Sequence, residues 1–103
     1  MSDPLVLALV AHTAPQKALA AGFEEEGVPL MVEVTDGPVE ALARQAARRT
    51  VLGIGIGADA ERLVLTLAAA PGRPYLAADA ADARCFGHAA ARLAARRPLR
   101  GFA

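Results

Sequence analysis

Leu5 to Val10 is an unbroken run of six apolar residues, closed by His12-Thr13-Ala14-Pro15. A strand with one wet face alternates apolar and polar residues; an unbroken run marks a strand buried on both faces, the habit of parallel sheets. Such a sheet needs helices on both sides, so this run demands an α/β chain before anything else is read. The following residues supply the helices. Pro15 to about Glu26 reads as a helix, with Thr13 as its N-cap and Pro15 tolerated where first-turn N–H groups lack intrahelical partners. Gly27 is a natural stop, with Pro29 beyond it. Pro29 to Val34 reads as a second strand and Asp36-Gly37-Pro38 as a turn. Val39, Leu42, Ala43, Ala46 and Ala47 then recur at helical spacing, with Glu40, Arg44 and Arg48 facing away.

Val51 to Gly57 reads as a third strand, apolar and rich in glycine. Ala58 to Ala70 supports two readings: Asp59 could cap a helix, yet Leu63, Leu65 and Leu67 alternate with Val64 and Thr66 as in a strand. Pro71-Gly72-Arg73-Pro74 makes a tight connection into a short strand, Tyr75 to Ala78. A last helix, capped by Asp79 or Asp82, runs to about Arg97 and ends at Pro98. The order β-α-β-α-β, an ambiguous element, then β-α predicts a parallel sheet core with helices on both faces. A strand in the ambiguous position would run antiparallel, because its link to the next is short. No internal repeat or linker divides the 103 residues, so a single domain, residues 1–103, is expected, burying about two-thirds of its unfolded surface.

Composition narrows the function classes. The chain is 54% hydrophobic and 4% aromatic, with 11 basic residues balanced by 11 acidic ones. That apolar content excludes intrinsic disorder. No uncharged run reaches the roughly 18 residues of a membrane span. No basic segment precedes the first apolar stretch, so no secretory leader is expected. One cysteine, Cys85, forbids an internal disulfide and fits a reducing cytosol. Zero net charge with one Tyr and no Trp argues against nucleic-acid binding, which calls for a basic footprint or stacking aromatics.

Three features could carry chemistry. Glu24-Glu25-Glu26 falls in the last turn of the first helix, where the macrodipole already places partial negative charge; stability alone would favour Lys or Arg there. Residues 100° apart cannot converge on one ion. The helical wheel carries Glu26 with Leu19 and Phe23 toward the core edge. It carries Glu25 with Ala18, Ala21 and Gly22, a stripe small enough for another surface to approach. Glu25 therefore reads as one carboxylate offered to a cation whose other ligands lie on a partner; the plainer alternative is a solvated acidic helix end. Hard cations take about six oxygen ligands, so a complete metal site within this chain is not expected.

Gly53-Ile54-Gly55-Ile56-Gly57-Ala58 is a degenerate dinucleotide fingerprint, with Asp79 at a plausible distance to meet a ribose. The fingerprint should follow the first strand, however, and glycine inside a strand more often marks close backbone approach. Arg84, His88, Arg92 and Arg96 are spaced by four and share one face of the last helix, either as a solvated stripe or as a docking surface for an acidic partner. His12, Asp36, Asp59 and Asp79 fall at carboxyl ends of strands, where α/β folds place ligands, but turn and capping roles account for the aspartates more simply. Cys85 reads as a small core residue of the last helix. No nucleophile motif, metal cluster or phosphate loop is present, and no catalytic residue is assigned.

Gly22-Phe23-Glu24-Glu25-Glu26-Gly27-Val28-Pro29 resembles the G-I-E-E-E-G-I-P block of the small subunit of the diol/glycerol dehydratase reactivating factor, a relative of the medium subunit of adenosylcobalamin-dependent dehydratases. Ala46-Ala47 ahead of Leu52-Gly53-Ile54-Gly55 supports the resemblance. So does Arg84-x-x-Gly87-x-x-Ala90-Ala91-Arg92-Leu93 with Pro98 after it, and the likeness runs from about Leu19 to Phe102. It implies a three-layer α/β/α sandwich with a five-stranded mixed sheet, one strand antiparallel, resembling anticodon-binding domains; Arg62 to Leu67 would be that strand. It implies a non-catalytic subunit that binds a large, actin-like ATPase subunit as a heterotetramer, and meets the dehydratase large subunit indirectly. In the family, the small subunit leaves the large one and the dehydratase medium subunit takes its place, so that damaged cobalamin escapes. The resemblance makes Glu25, the middle glutamate, the ligand of a divalent cation (magnesium or calcium) shared with the large subunit; no cofactor is expected on the chain alone.

Ala18, Ala21, Gly22, Arg84, His88 and Arg92 would form the partner surface. A cytoplasmic setting follows, with a bacterial microcompartment as a compatible one. The sequence departs from the family at His88 and Ala89, where polar residues, often Asn, are usual, and it stops at Ala103, sooner than many members. That shortness favours the reactivase subunit over the alternative, a medium subunit of the dehydratase itself. A nucleotide-binding module using Gly53, Gly55 and Gly57 is the alternative from another class.

Overall fold

The computed structural model describes residues 4–95. Its elements are β1 (Val6–Val10), α1 (Gln16–Glu26), β2 (Met31–Val34), α2 (Val39–Arg48), β3 (Ile54–Ala58), β4 (Arg62–Leu67), β5 (Leu76–Asp79), a 3-10 turn (Ala80–Asp82) and α3 (Ala83–Ala95). The sheet order is β2-β1-β3-β4-β5. β1 runs parallel to β2 and β3, and β4 runs antiparallel to both β3 and β5. The mixed five-stranded sheet with one reversed strand is therefore as expected, and the ambiguous segment is that strand. Asp59 caps no helix: its Oδ1 accepts the backbone N–H groups of Glu61 and Arg62, each at 2.8 Å, and so turns β3 into β4.

Burial explains why β1 is apolar throughout, since each of its residues is at most 3% exposed. Val6, Ala8 and Val10 join Ile54, Ile56, Leu63 and Leu65 beneath Leu19 and Phe23 of α1 and Phe86, Ala90 and Ala91 of α3. Leu7 and Leu9 point the other way, against Leu42 and Ala46 of α2. All five apolar positions read from the α2 spacing are buried. Period-two strands thus serve two cores, with α1 and α3 on one face of the sheet and α2 on the other.

Three capping expectations need correction. α1 opens on Pro15 with no side-chain cap, so Thr13 does not serve as the N-cap. The 3-10 turn before α3 has Asp79 at its head, again without a side-chain cap bond; the turn itself leads the chain into α3 at Ala83, so neither Asp79 nor Asp82 is needed as a cap. The end of the last helix near Arg97 lies outside the described residues. Gly27 does stop α1: at φ 72° it takes the left-handed conformation, and its N–H and that of Val28 reach the carbonyls of Glu24 and Phe23 at 3.0 and 3.1 Å.

Candidate functional site

The site begins with two glycines. Gly22 of α1 and Gly87 of α3 are both buried, and a methyl built on Gly22 would overlap the backbone of Arg84, Gly87 and His88. One built on Gly87 would overlap the Leu19 carbonyl. The absence of both side chains lets the helices touch along their backbones, and this places the last turn of α1 against the first turns of α3. The approach that the small-residue stripe permits is therefore made within the chain: Gly22 faces α3 and is not available to a partner. Ala18 and Ala21 are half-buried, and Ala18 packs against the core beneath α1.

Next to the glycine contact, acidic and basic side chains form a single row. Arg84 grips Glu25 with two donors, Nε to Oε1 at 3.0 Å and Nη2 to Oε2. His88 lies between the two carboxylates, its Nε2 at 2.7 Å from Glu25 Oε1 and its Nδ1 at 2.7 Å from Glu26 Oε2. Arg92 Nε donates to the same Glu26 oxygen at 3.0 Å. The row is Arg84–Glu25–His88–Glu26–Arg92. Glu26 is its most enclosed member, with 12% of its side chain exposed against 38% for Glu25 and 64% for Arg84. The wheel placed Glu26 at the core edge, and the structure agrees. Glu24 is exposed, and Arg96 lies outside the described residues.

Electrostatics follow from this row. The Arg84 guanidinium, and after it His88, hold the Glu25 carboxyl below the usual glutamate range against the opposing effect of burial. Glu26 first and Glu25 second raise the His88 pKa above the ordinary histidine value. Glu25 likewise raises that of Arg84. α1 carries no basic residue in its last turn, so the carboxylates that its own dipole disfavours are compensated from α3.

The remaining candidates do not assemble. His12 and Asp36 are exposed loop residues, and Asp59 is occupied as a turn acceptor. Cys85 is exposed and unbridged rather than part of the core, because α3 buries Ala83, Phe86, Gly87, Ala90 and Ala91 and turns residue 85 outward. The glycine run of β3 is structural. Methyls on Gly55 and Gly57 would overlap the α2 backbone at Val39, Ala43, Ala46 and Ala47, and a strand follows where a phosphate-binding helix would have to start. Gly53 lines an apolar cleft of about 220 Å³ together with Leu52, Ile54, Leu67, Ala69, Leu93 and Ala94, and among the described residues that line it none is charged. The packing of Gly55 and Gly57 under α2 leaves these two glycines no room to cradle a phosphate, which counts against the nucleotide-module reading. Among the described residues, no three His, Cys, Asp or Glu side chains are grouped to hold a metal ion.

What sequence reading missed is the pairing itself. Glu25 and the basic stripe each read as facing a partner, and in the structure Glu25 and Glu26 face Arg84, His88 and Arg92. A signal was present in their opposite charge, but only the packing of α1 on α3 gives it meaning.

Comparison with known proteins bears on the chain as a whole. Residues 4–100 match the family described as dehydratase medium subunit. No curated protein matches the sequence. A solved chain of a glycerol dehydratase reactivase is 29% identical with a TM-score of 0.78, covering 88% of this chain and 91% of that one. A diol dehydratase-reactivating factor, solved in complex with ADP and Mg2+, is 27% identical with a TM-score of 0.78, over 91% of this chain and 94% of the other.

Proposed function

The chain belongs to the dehydratase medium subunit family, and from that premise we propose that it is the non-catalytic small subunit of a reactivating factor for an adenosylcobalamin-dependent diol or glycerol dehydratase. The observation that carries this reading is the near end-to-end likeness to a reactivase chain at 29% identity. In this reading ATP is hydrolysed by a large partner subunit, with which the chain forms a heterotetramer. Its departure lets the dehydratase rearrange and shed damaged cobalamin. The setting is the cytoplasm, and no helix among the described residues is long and apolar enough to cross a membrane.

Glu25 is the residue assigned to a divalent cation shared with the large subunit. Its chemistry fits, since a carboxylate is a hard oxygen donor and 38% of this side chain reaches the surface. It supplies one ligand, so the partner must supply most of the others. Magnesium has support in the Mg2+ of the related reactivating-factor complex. Arg84 and His88 hold Glu25 and Arg92 holds the adjacent Glu26; with Ala21, and with Ala18 at the edge, they make up the docking surface in this reading.

Native mass spectrometry of the chain with the large reactivase subunit from the same genome, in magnesium, tests the assignment. A heteromeric complex that weakens in Glu25→Gln is expected. Binding to a dehydratase large subunit instead would make the chain a structural subunit of that enzyme, a reading favoured by the name of the matching family. Binding to neither overturns both.

A further inference from the structure

Glu25 is already occupied in the chain by itself. Its Oε1 takes the Arg84 Nε at 3.0 Å and the His88 Nε2 at 2.7 Å, while its Oε2 takes the Arg84 Nη2. A guanidinium gripping both oxygens competes with a cation for the same carboxylate, because it occupies lone pairs on each oxygen and their like charges would stand within a few ångströms of each other. We infer that Arg84 is a latch over Glu25, holding the carboxylate in the free chain and swinging away when the carboxylate takes a divalent cation. The inference rests on the reading of Glu25 as a ligand, and the geometry shows why Arg84 is the member that moves.

The two ends of the row differ in enclosure. Glu26, only 12% exposed, is held by Arg92 at 3.0 Å and by His88 Nδ1 at 2.7 Å. This half remains whole when Arg84 leaves. Arg84 is 64% exposed and no other carboxylate is paired with it among the described residues. It can rotate into solvent, or onto an acidic group of a partner, with no change in the α3 backbone. Opening therefore leaves the Gly22–Gly87 contact intact and costs about what an exposed ion pair contributes, a small factor in affinity.

Manganese(II), a paramagnetic probe of hard-oxygen sites, tests this on the full chain alone. The amide signals of Gly22 to Val28 are followed as manganese is added to wild type, Arg84→Ala, Arg84→Gln and Glu25→Gln. Both Arg84 variants are expected to reach half-broadening at about two- to fivefold lower manganese than wild type, the span of an exposed ion pair. Glu25→Gln should lose the selective broadening. Equal midpoints in wild type and both Arg84 variants overturn the latch, and so does broadening that survives Glu25→Gln. Absence of a complex with the large subunit would end the functional assignment while leaving this titration decisive for the latch.

Discussion

The two helical layers solve the same packing problem with different chemistry. On the α2 side, Gly55 and Gly57 lie flat beneath the helix, and ion pairs sit at its two ends: Arg49 to Glu33 at 2.7 Å and Arg62 to Glu40 at 3.0 Å tie α2 to the sheet. On the other side Gly22 and Gly87 bring two helices together, and the ion pairs run along the seam between them. Charges at helix ends fasten a layer to the sheet. Charges along a helix–helix seam form a surface that can open toward another molecule. The two layers thus differ in where their charges fall, and the α1–α3 seam is the one that the proposed docking surface would use.

The comparison breaks most readily at β3. Gly55→Val should abolish the folded state, because branched carbons would have to displace the α2 backbone, at a cost above about 3 kcal/mol. Urea unfolding followed by circular dichroism checks this, and a cooperative transition close to wild type would show that α2 is not seated as described. Phe23→Ala should come next, leaving a cavity beneath α1 at about 3–5 kcal/mol in the same assay. Gly22→Ala sharpens the contrast between layers. It should cost about 1–3 kcal/mol, because α1 and α3 can part slightly where α2 and the sheet cannot. It should also disturb the charge row, read as a changed His88 ring shift in NMR. An unchanged ring shift would separate the glycine contact from the row.

The smallest expected effect is in pH. His88 has its pKa raised in the folded chain by Glu26 and Glu25, so the stability it contributes is full below its unfolded value near 6.5. It is lost as pH rises through the higher folded value. The melting temperature of wild type should therefore exceed that of His88→Gln most at pH 5.5–6, and the gap should narrow above neutrality. Glu25 acts in the opposite sense: its lowered pKa adds stability above the ordinary value of 4.5 that is lost as pH falls through the folded one. A gap between wild type and His88→Gln that is constant across pH would show that His88 is not protonated within the row.

Much of this was legible residue by residue. The run Leu5 to Val10, the α2 spacing and the Gly27 stop were readable because burial on two faces, a 3.6-residue period and a left-handed backbone each leave a local mark. The reversed strand Arg62–Leu67 was ambiguous by pattern, since a leucine-rich segment suits either element, and the family resemblance resolved it. Cys85 was misplaced because one face of a helix rich in alanine resembles another when most side chains are small.

By itself the sequence determined the order of elements, the two-sided core and the family, since these rest on local periodicity and on motifs that lie together in the chain. Tertiary structure alone decided what Glu25 and Arg84 are to each other. They stand 59 positions apart, and only the backbone contact that Gly22 and Gly87 allow brings a carboxylate and a guanidinium into one hydrogen-bonded pair. Their charge was legible throughout, but electrostatic attraction acts over a few ångströms, and it was packing that supplied the distance.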